Sequence, residues 1–303
     1  MLKFIFSETF FYSTIVFAMP IIFASMAALI SNRAGTLNIN IEGSMSISAL
    51  VGALVSHFSR SWVIGVLAAV ITGILMALVL AYCSILLKTD TTLTGIALNT
   101  FATGFCILVL YIVLGVKGDS SQAPSYTIPN LKLPVLSQIP VLGKILFEQN
   151  FMVYLGVLCV IFISVMLNKS KLGVRIKAVG YNPMAAKAAG IHVDRYKAYS
   201  LIICGALAGL GGAFLSMVYL SYFSIGMVAG KGFIGLAAEA MGGGIPIFTV
   251  LFSILFGAVD YFAVGAQSVL QMPYQLLNTL PYLMAMFALI IYSVKSNKHN
   301  KEA

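Results

Sequence analysis

Trp62-Val-Ile-Gly-Val-Leu-Ala-Ala-Val-Ile-Thr-Gly-Ile-Leu-Met-Ala-Leu-Val-Leu-Ala-Tyr-Cys-Ser-Ile-Leu-Leu87 contains no charged side chain. A helix needs roughly 20 such residues to cross about 30 Å of hydrocarbon. In lipid the backbone must satisfy its own hydrogen bonds, and a helix does this without partners. The stretch is therefore read as a membrane-spanning helix. Comparable runs lie at 11–31, 92–116, 151–167, 199–220 and 274–294. Residues 43–57 and 248–266 are further candidates with more polar or small side chains. The stretch 233–247 is shorter and carries Glu239 ahead of Gly242-Gly243-Gly244.

Composition agrees with this reading. Of 303 residues, 60% are hydrophobic and 9% charged, against about 25% charged in a soluble domain. Lipid must act as solvent for most of the chain. The predicted class is an all-α integral membrane protein, a polytopic bundle of eight to ten membrane segments, some short or broken. No cleavage site follows the first apolar run, which is read as a retained span.

The net charge of +9 reports topology, since short cytoplasmic loops retain Lys and Arg. No basic patch alternates with exposed aromatics, so nucleic acid is not an expected partner. Seven of the 18 cations lie between 169 and 197, opposed there only by Asp194. That segment is expected in the cytoplasm, as is the tail with Lys295, Lys298 and Lys301. Two inside ends require an even number of crossings between them, so 233–247 is expected to cross as a short or broken helix. Five crossings before the basic loop would put the N-terminus outside; a re-entrant 33–57 would put it inside. Loop 117–149, with four of the nine prolines (Pro124, Pro129, Pro134 and Pro140), then falls outside. It is either a plain connection or a docking face for an external partner.

Within the basic loop, Asn182 suits an N-cap, Pro183 the first helical position and Gly190 the residue just past the end. A two-turn helix is expected between them. So short a helix is marginal alone in water, and its strong punctuation suggests that a partner holds it.

Several stretches, taken together and in order, resemble the family of branched-chain amino acid, simple sugar and nucleoside ABC permeases, most closely the nucleoside-type members. They are Asn32–Gly43, Gly95–Asn99, Gly173–Ile191, Gly205–Ala213, Ala229–Ala238 and Leu280–Tyr282. The resemblance runs from about residue 31 to 285 and implies a single permease domain over 1–303 in a bacterial cytoplasmic (inner) membrane. It implies that the Asn-Pro segment couples to an ATPase subunit. Carried over residue by residue, that role falls on Arg175, Lys177, Asn182, Pro183, Ala185, Ala186, Lys187 and Gly190. It also implies a second homologous permease chain and an extracytoplasmic substrate-binding protein. ATP and Mg would sit on the ATPase partner and no cofactor on this chain. One departure stands out: Glu239-Ala-Met-Gly-Gly-Gly-Ile-Pro246 replaces a small residue followed by Gly and an aromatic-Pro pair.

Polar groups at membrane depth are expensive and mark candidate pathways. The expected substrate pathway comprises Asn38, Asn40, Glu42, Asn99, Phe233 and Glu239. Asp260 is expected to bond a neighbouring helix. Gly205, Gly209 and Gly212 are expected to bring helices close. Cys83, Cys106, Cys159 and Cys204 read as small core residues. The nearest approach to a Walker A motif, Gly226–Gly232, is a residue short and lacks the Ser or Thr. Histidine and nucleophile motifs of hydrolases are missing from the sequence, so neither catalytic residues nor metal ligands are expected. The favoured function is the membrane subunit of an ATP-driven importer of nucleosides. A permease for sugars or vitamin-like solutes, or an ion-coupled carrier, is the alternative.

Overall fold

The computed structural model describes residues 8–131 and 148–270, together with Thr279, Leu283 and Met286. Ten α-helices are named here in chain order: α1 Glu8–Arg33, α2 Ile41–Ser59, α3 Trp62–Ala81, α4 Thr91–Leu114, α5 Phe151–Lys169, α6 Lys171–Tyr181, α7 Pro183–Ala188, α8 Val193–Phe214, α9 Lys231–Met241 and α10 Pro246–Leu270. Among the described residues there is no β-strand, only two isolated bridges. Among the described residues, seven helices are long and apolar enough to cross a membrane. The span expected at 274–294, the Leu280–Tyr282 motif, Pro134 and Pro140, and the basic tail lie outside the described residues.

Helices α1, α2 and α8 form the centre. Their most apolar windows are 78%, 67% and 72% buried, against 17% for α4. The glycines of α8 account for its central place. A side chain on Gly205 would meet the Ala77 Cβ at 2.6 Å, and one on Gly212 would meet the Ala49 amide at 2.8 Å. Backbone-to-backbone approach of this kind supplies packing where lipid offers no hydrophobic drive. Helix α10 lies antiparallel along α1, with Ser253 bonded to Ser25 at 2.8 Å and Tyr261 against Phe10. Both α3 and α8 end in π-helical turns, Tyr82–Leu86 and Leu215–Tyr219.

The expected span at 43–57 is a full helix, α2, and is not re-entrant. The irregular backbone lies just before it, at 34–40. The expected crossing at 233–247 is built in two pieces. Helix α9 has 11 residues and reaches about 16 Å, half of the hydrocarbon core. Irregular chain from Leu220 to Gly230 leads into it from the opposite end of the bundle. The C-terminal end of α9 lies level with the end of α1, where the Arg33 guanidinium donates to the Gly244 carbonyl.

The basic segment 169–197 differs from a loop. It holds α6, α7 and the first turn of α8, so Asp194, Arg195 and Lys197 are helical. Gly180 of α6 packs on Arg33 and Gly35 at the end of α1. The ends of α1, α5 and α9 therefore share one end of the bundle with α6 and α7, called here the basic end.

Candidate functional site

Two chain interruptions meet inside the bundle. The first, Ala34–Asn40, leaves α1 at the basic end and carries the chain inward to the start of α2. Irregular backbone at membrane depth must be bonded by protein or water, and the asparagines do this. The Asn40 amide donates to Asn38 Oδ1 at 2.9 Å, Asn38 Nδ2 donates to Cys204 Sγ at 3.1 Å, and Asn40 Nδ2 donates to Ser44 Oγ at 3.1 Å. Asn99, about two turns into α4, binds the same segment with both ends of its amide. Its Nδ2 donates to the Ile39 carbonyl at 3.0 Å, and its Oδ1 accepts from the Gly43 amide at 2.8 Å.

The second interruption is the entry into α9. Ala229 and Gly230 both have positive φ (48° and 73°). The Gly230 and Gly232 amides donate to the two oxygens of Glu42, each at 2.8 Å. Glu42 thus stands at the positive ends of two helices, in the first turn of α2 and at the start of α9, where an anion is stabilised. Broken helices whose N-termini converge within the membrane are a recurrent way to build a transport site.

Glu42 borders a cavity of about 450 Å³, within the usual range for small-molecule sites. Asn99 and Phe233 line it too, so three of the six expected pathway residues come together. Ser46, Thr100, Thr103, Cys106 and Phe223 complete much of the wall. These were not singled out from the sequence, although Glu42 and Ser46, and Asn99 and Thr103, are polar pairs one helical turn apart.

The other three expected pathway residues do not line the cavity. Asn38 and Asn40 are fully buried and tie the irregular chain to its surroundings. Glu239 sits at the far end of α9, hydrogen-bonded by Asn32 of α1. Asp260 pairs with Lys231 at 3.0 Å, which binds α10 to the start of α9. Among the described residues no Lys or Arg lines the cavity, and Glu42 is its one charged group.

At the end away from α7 a strap is bonded to the segment that supplies Phe223 and Ile225 to the cavity wall. The Ser120 amide donates to the Phe223 carbonyl at 2.8 Å, and the Ile225 amide to that of Gly118 at 3.1 Å. His57 Nδ1 lies 2.9 Å from the Pro124 carbonyl. The first part of loop 117–149 is therefore bonded down over α2 and the α9 entry. In the strap, the hydroxyl and amide of Ser121 hydrogen-bond to Asp119 and hold its carboxyl below the ordinary value.

At the basic end, α7 has the expected caps. Asn182 Oδ1 accepts from the Met184 and Ala185 amides at 3.1 and 3.0 Å. Gly190 has φ +79°, and the Gly190 and Ile191 amides donate to the Lys187 and Ala186 carbonyls, the paired bonds of a Schellman ending. Met184 is 79% exposed and Ala186 only 4%, so α7 seats Ala186 inward and turns Pro183, Met184, Ala185 and Lys187 outward. A hollow of about 620 Å³ opens beside Met184, Lys187 and Arg195. Two basic residues expected in this surface are engaged within the chain. Arg175 donates to the Tyr196 hydroxyl at 2.6 Å and lies over its ring, and Lys177 donates to Asn168 at 2.9 Å. They fix α6 to α8 and to α5.

The comparisons agree with this architecture. Residues 10–293 match the model of the family described as branched-chain amino acid transport system, permease component. The chain is 33% identical to the guanosine ABC transporter permease protein NupQ of Bacillus subtilis, covering 81% of this chain and 78% of that one. It is 31% identical to the nucleoside ABC transporter permease protein NupC of Lactococcus lactis, covering 93% and 91%. Among solved structures, an inward-facing transporter assigned to the metal-chelate ABC type superposes with a TM-score of 0.50 at 16% identity, over 93% of this chain and 85% of that one. That likeness is one of fold. With seven apolar spans among its described residues, a bonded break at the head of α2 and a half-helix at its side, this multi-pass membrane chain belongs to the branched-chain amino acid transport system permease family.

Proposed function

We propose that this chain forms the translocation pathway of an ATP-driven importer of nucleosides, with its basic end in the cytoplasm. The observation that carries the reading is the cavity at Glu42. It is of small-molecule size, lies where two helix N-termini converge, and has hydroxyl, amide and aromatic walls without a cation. The single negative charge is offset by two backbone amides and two helix ends. Such a site suits a neutral, polar solute and opposes a phosphorylated one. Two relatives are named for guanosine or nucleoside transport, and a nucleoside is neutral, polar and has a ring for Phe233 to pack on.

In this reading ATP and Mg are held by an ATPase partner, and α7 is the element that partner grips. Closure of the ATPase moves α7, and α6 and α8 follow because Arg175 and Tyr196 join them. Helix α8 reaches the cavity region through its close packing on α2. A second permease chain completes the pathway opposite α4, and an external binding protein delivers solute to the strapped end.

The test is uptake of a labelled purine nucleoside by cells with and without the chain, chased by unlabelled nucleoside or ribose. The expected outcome is loss of uptake on deletion and competition by nucleoside alone. Competition by ribose with equal strength would replace the nucleoside reading with a sugar one.

A further inference from the structure

We infer that the Glu42 cavity reads its solute chiefly through the solute's hydrogen-bond donors, because Glu42, Thr100 and Thr103 present acceptors to it, while Ser46 and Cys106 are paired with each other. This rests on the reading of the cavity as the solute site and names what that site recognises.

A carboxylate can only accept. Each Glu42 oxygen takes one backbone amide at 2.8 Å, which leaves lone pairs on both for the cavity that Glu42 lines. The two threonines of α4 act in the same sense. Thr100 Oγ1 donates to the Ile96 carbonyl at 3.2 Å and Thr103 Oγ1 to that of Asn99 at 3.3 Å. Each hydroxyl hydrogen is thus turned to the helix backbone, and the oxygen keeps lone pairs for a neighbour. Asn99 spends one of its two Nδ2 hydrogens on the Ile39 carbonyl and its Oδ1 on the Gly43 amide, so it leaves this wall at most one amide donor, in an orientation fixed at both ends. Asn99 is therefore a positioning residue that joins α4 to the head of α2.

A cavity of this kind favours solutes with adjacent O–H or N–H groups. In a purine nucleoside these come from two places, the 2′,3′-diol of the ribose and the N1–H and 2-amino edge of guanine. Groups that only accept, such as N7 of the base, gain nothing from these walls. A phosphate would face Glu42 with like charge.

The test is competition for uptake of labelled guanosine in cells carrying the complete transporter. The competitors are 2′-deoxyguanosine, inosine, 7-deazaguanosine and guanosine 5′-monophosphate. A hydrogen bond to a charged group corresponds to about tenfold or more in affinity. At least one donor-deleted analogue should therefore compete roughly tenfold more weakly than guanosine. Which one does so tells whether Glu42 reads the sugar or the base. The 7-deaza compound, which lacks only an acceptor, should compete within about twofold, since no partner is lost. The monophosphate should not compete. Competition by both donor-deleted analogues as strong as by guanosine itself, a selective loss with the 7-deaza compound, or effective competition by the monophosphate would overturn the proposal.

Glu42→Gln should abolish the donor discrimination. Because Glu42 also caps α9, Thr103→Val serves as a second variant. It removes an exposed acceptor at nearly constant shape and should weaken guanosine uptake severalfold without changing the 7-deaza ratio. Should the cells import ribose and not guanosine, the nucleoside reading fails by itself. The same comparison between ribose and 2-deoxyribose then decides the acceptor proposal.

Discussion

Lys231 carries its ammonium to Asp260 at 3.0 Å, with both side chains largely shielded. Removing one partner of such a pair strands the other charge in a medium that cannot solvate it, at a cost of about 3–5 kcal/mol. Lys231→Met alone should therefore lower the melting temperature in detergent sharply, whereas Lys231→Met with Asp260→Leu should recover most of the loss. Equal melting of the single and double variants would remove the pair from the account of how α9 is held. The sequence marks Asp260 as a polar group in an apolar run and anticipates a bond to a neighbouring helix. Lys231 reads in sequence only as part of an incomplete phosphate-loop match, and nothing local marks it as the partner of Asp260, 29 positions on. The same limit divides the six expected pathway residues. Polarity at membrane depth picks out Glu42, Asn99, Asn38 and Asn40 alike. Whether an amide faces a cavity or bonds irregular backbone depends on partners up to 190 positions away, as in Glu42 with Gly232.

Helix α7 is the element whose form was most fully legible, because a capped helix is written in contiguous residues. Asn182, Pro183 and Gly190 act locally, and each takes the expected place. Its neighbour α6 was missed. Eleven residues with three cations and two glycines carry a weak helical signal, and its seat on the ends of α1 and α5 supplies what propensity does not. The difference between Ala185 and Ala186 was also invisible, since both are small and adjacent. The structure separates them: Ala185 is exposed and Ala186 is 4% exposed. Ala186→Trp must overpack the joint beneath α7, at a cost of about 1–3 kcal/mol, and should reduce thermal stability. Ala185→Trp should leave the melting temperature unchanged. If α7 docks into an ATPase, it should lower co-purification of that subunit, or leave ATP hydrolysis running without uptake. Normal uptake by Ala185→Trp at normal expression would sink the docking role.

At the scale of the molecule the open question is which end faces which compartment, and the fold makes the answer all-or-none. The end of α1, the whole of α6 and α7, and the turn after α9 are locked together through Arg33, Gly180 and Gly244. The strap at Gly118–Pro124 is bonded to the other end of α2 and to the segment before α9. No local rearrangement can move one of these to the opposite side alone. The positive-inside rule then orients the entire bundle from the cations of α6, α7 and the start of α8. By that rule the strap is expected outside and, counting back through α5, α4, α3, α2 and α1, Glu8 is expected outside as well. Four native cysteines complicate a labelling test; Cys106 and Cys204 are buried, and Cys83 and Cys159 are partly shielded. With Cys83 and Cys159 replaced by Ser, single cysteines are introduced by Ser121→Cys and Tyr181→Cys, the latter at a site 80% exposed. In intact cells a membrane-impermeant maleimide should label the variant at 121 and spare the one at 181, and in inverted vesicles the pattern should reverse. Labelling of position 181 from outside would invert the bundle. It would put α7 where no ATPase can reach it, and so remove the coupling role and the direction of transport together.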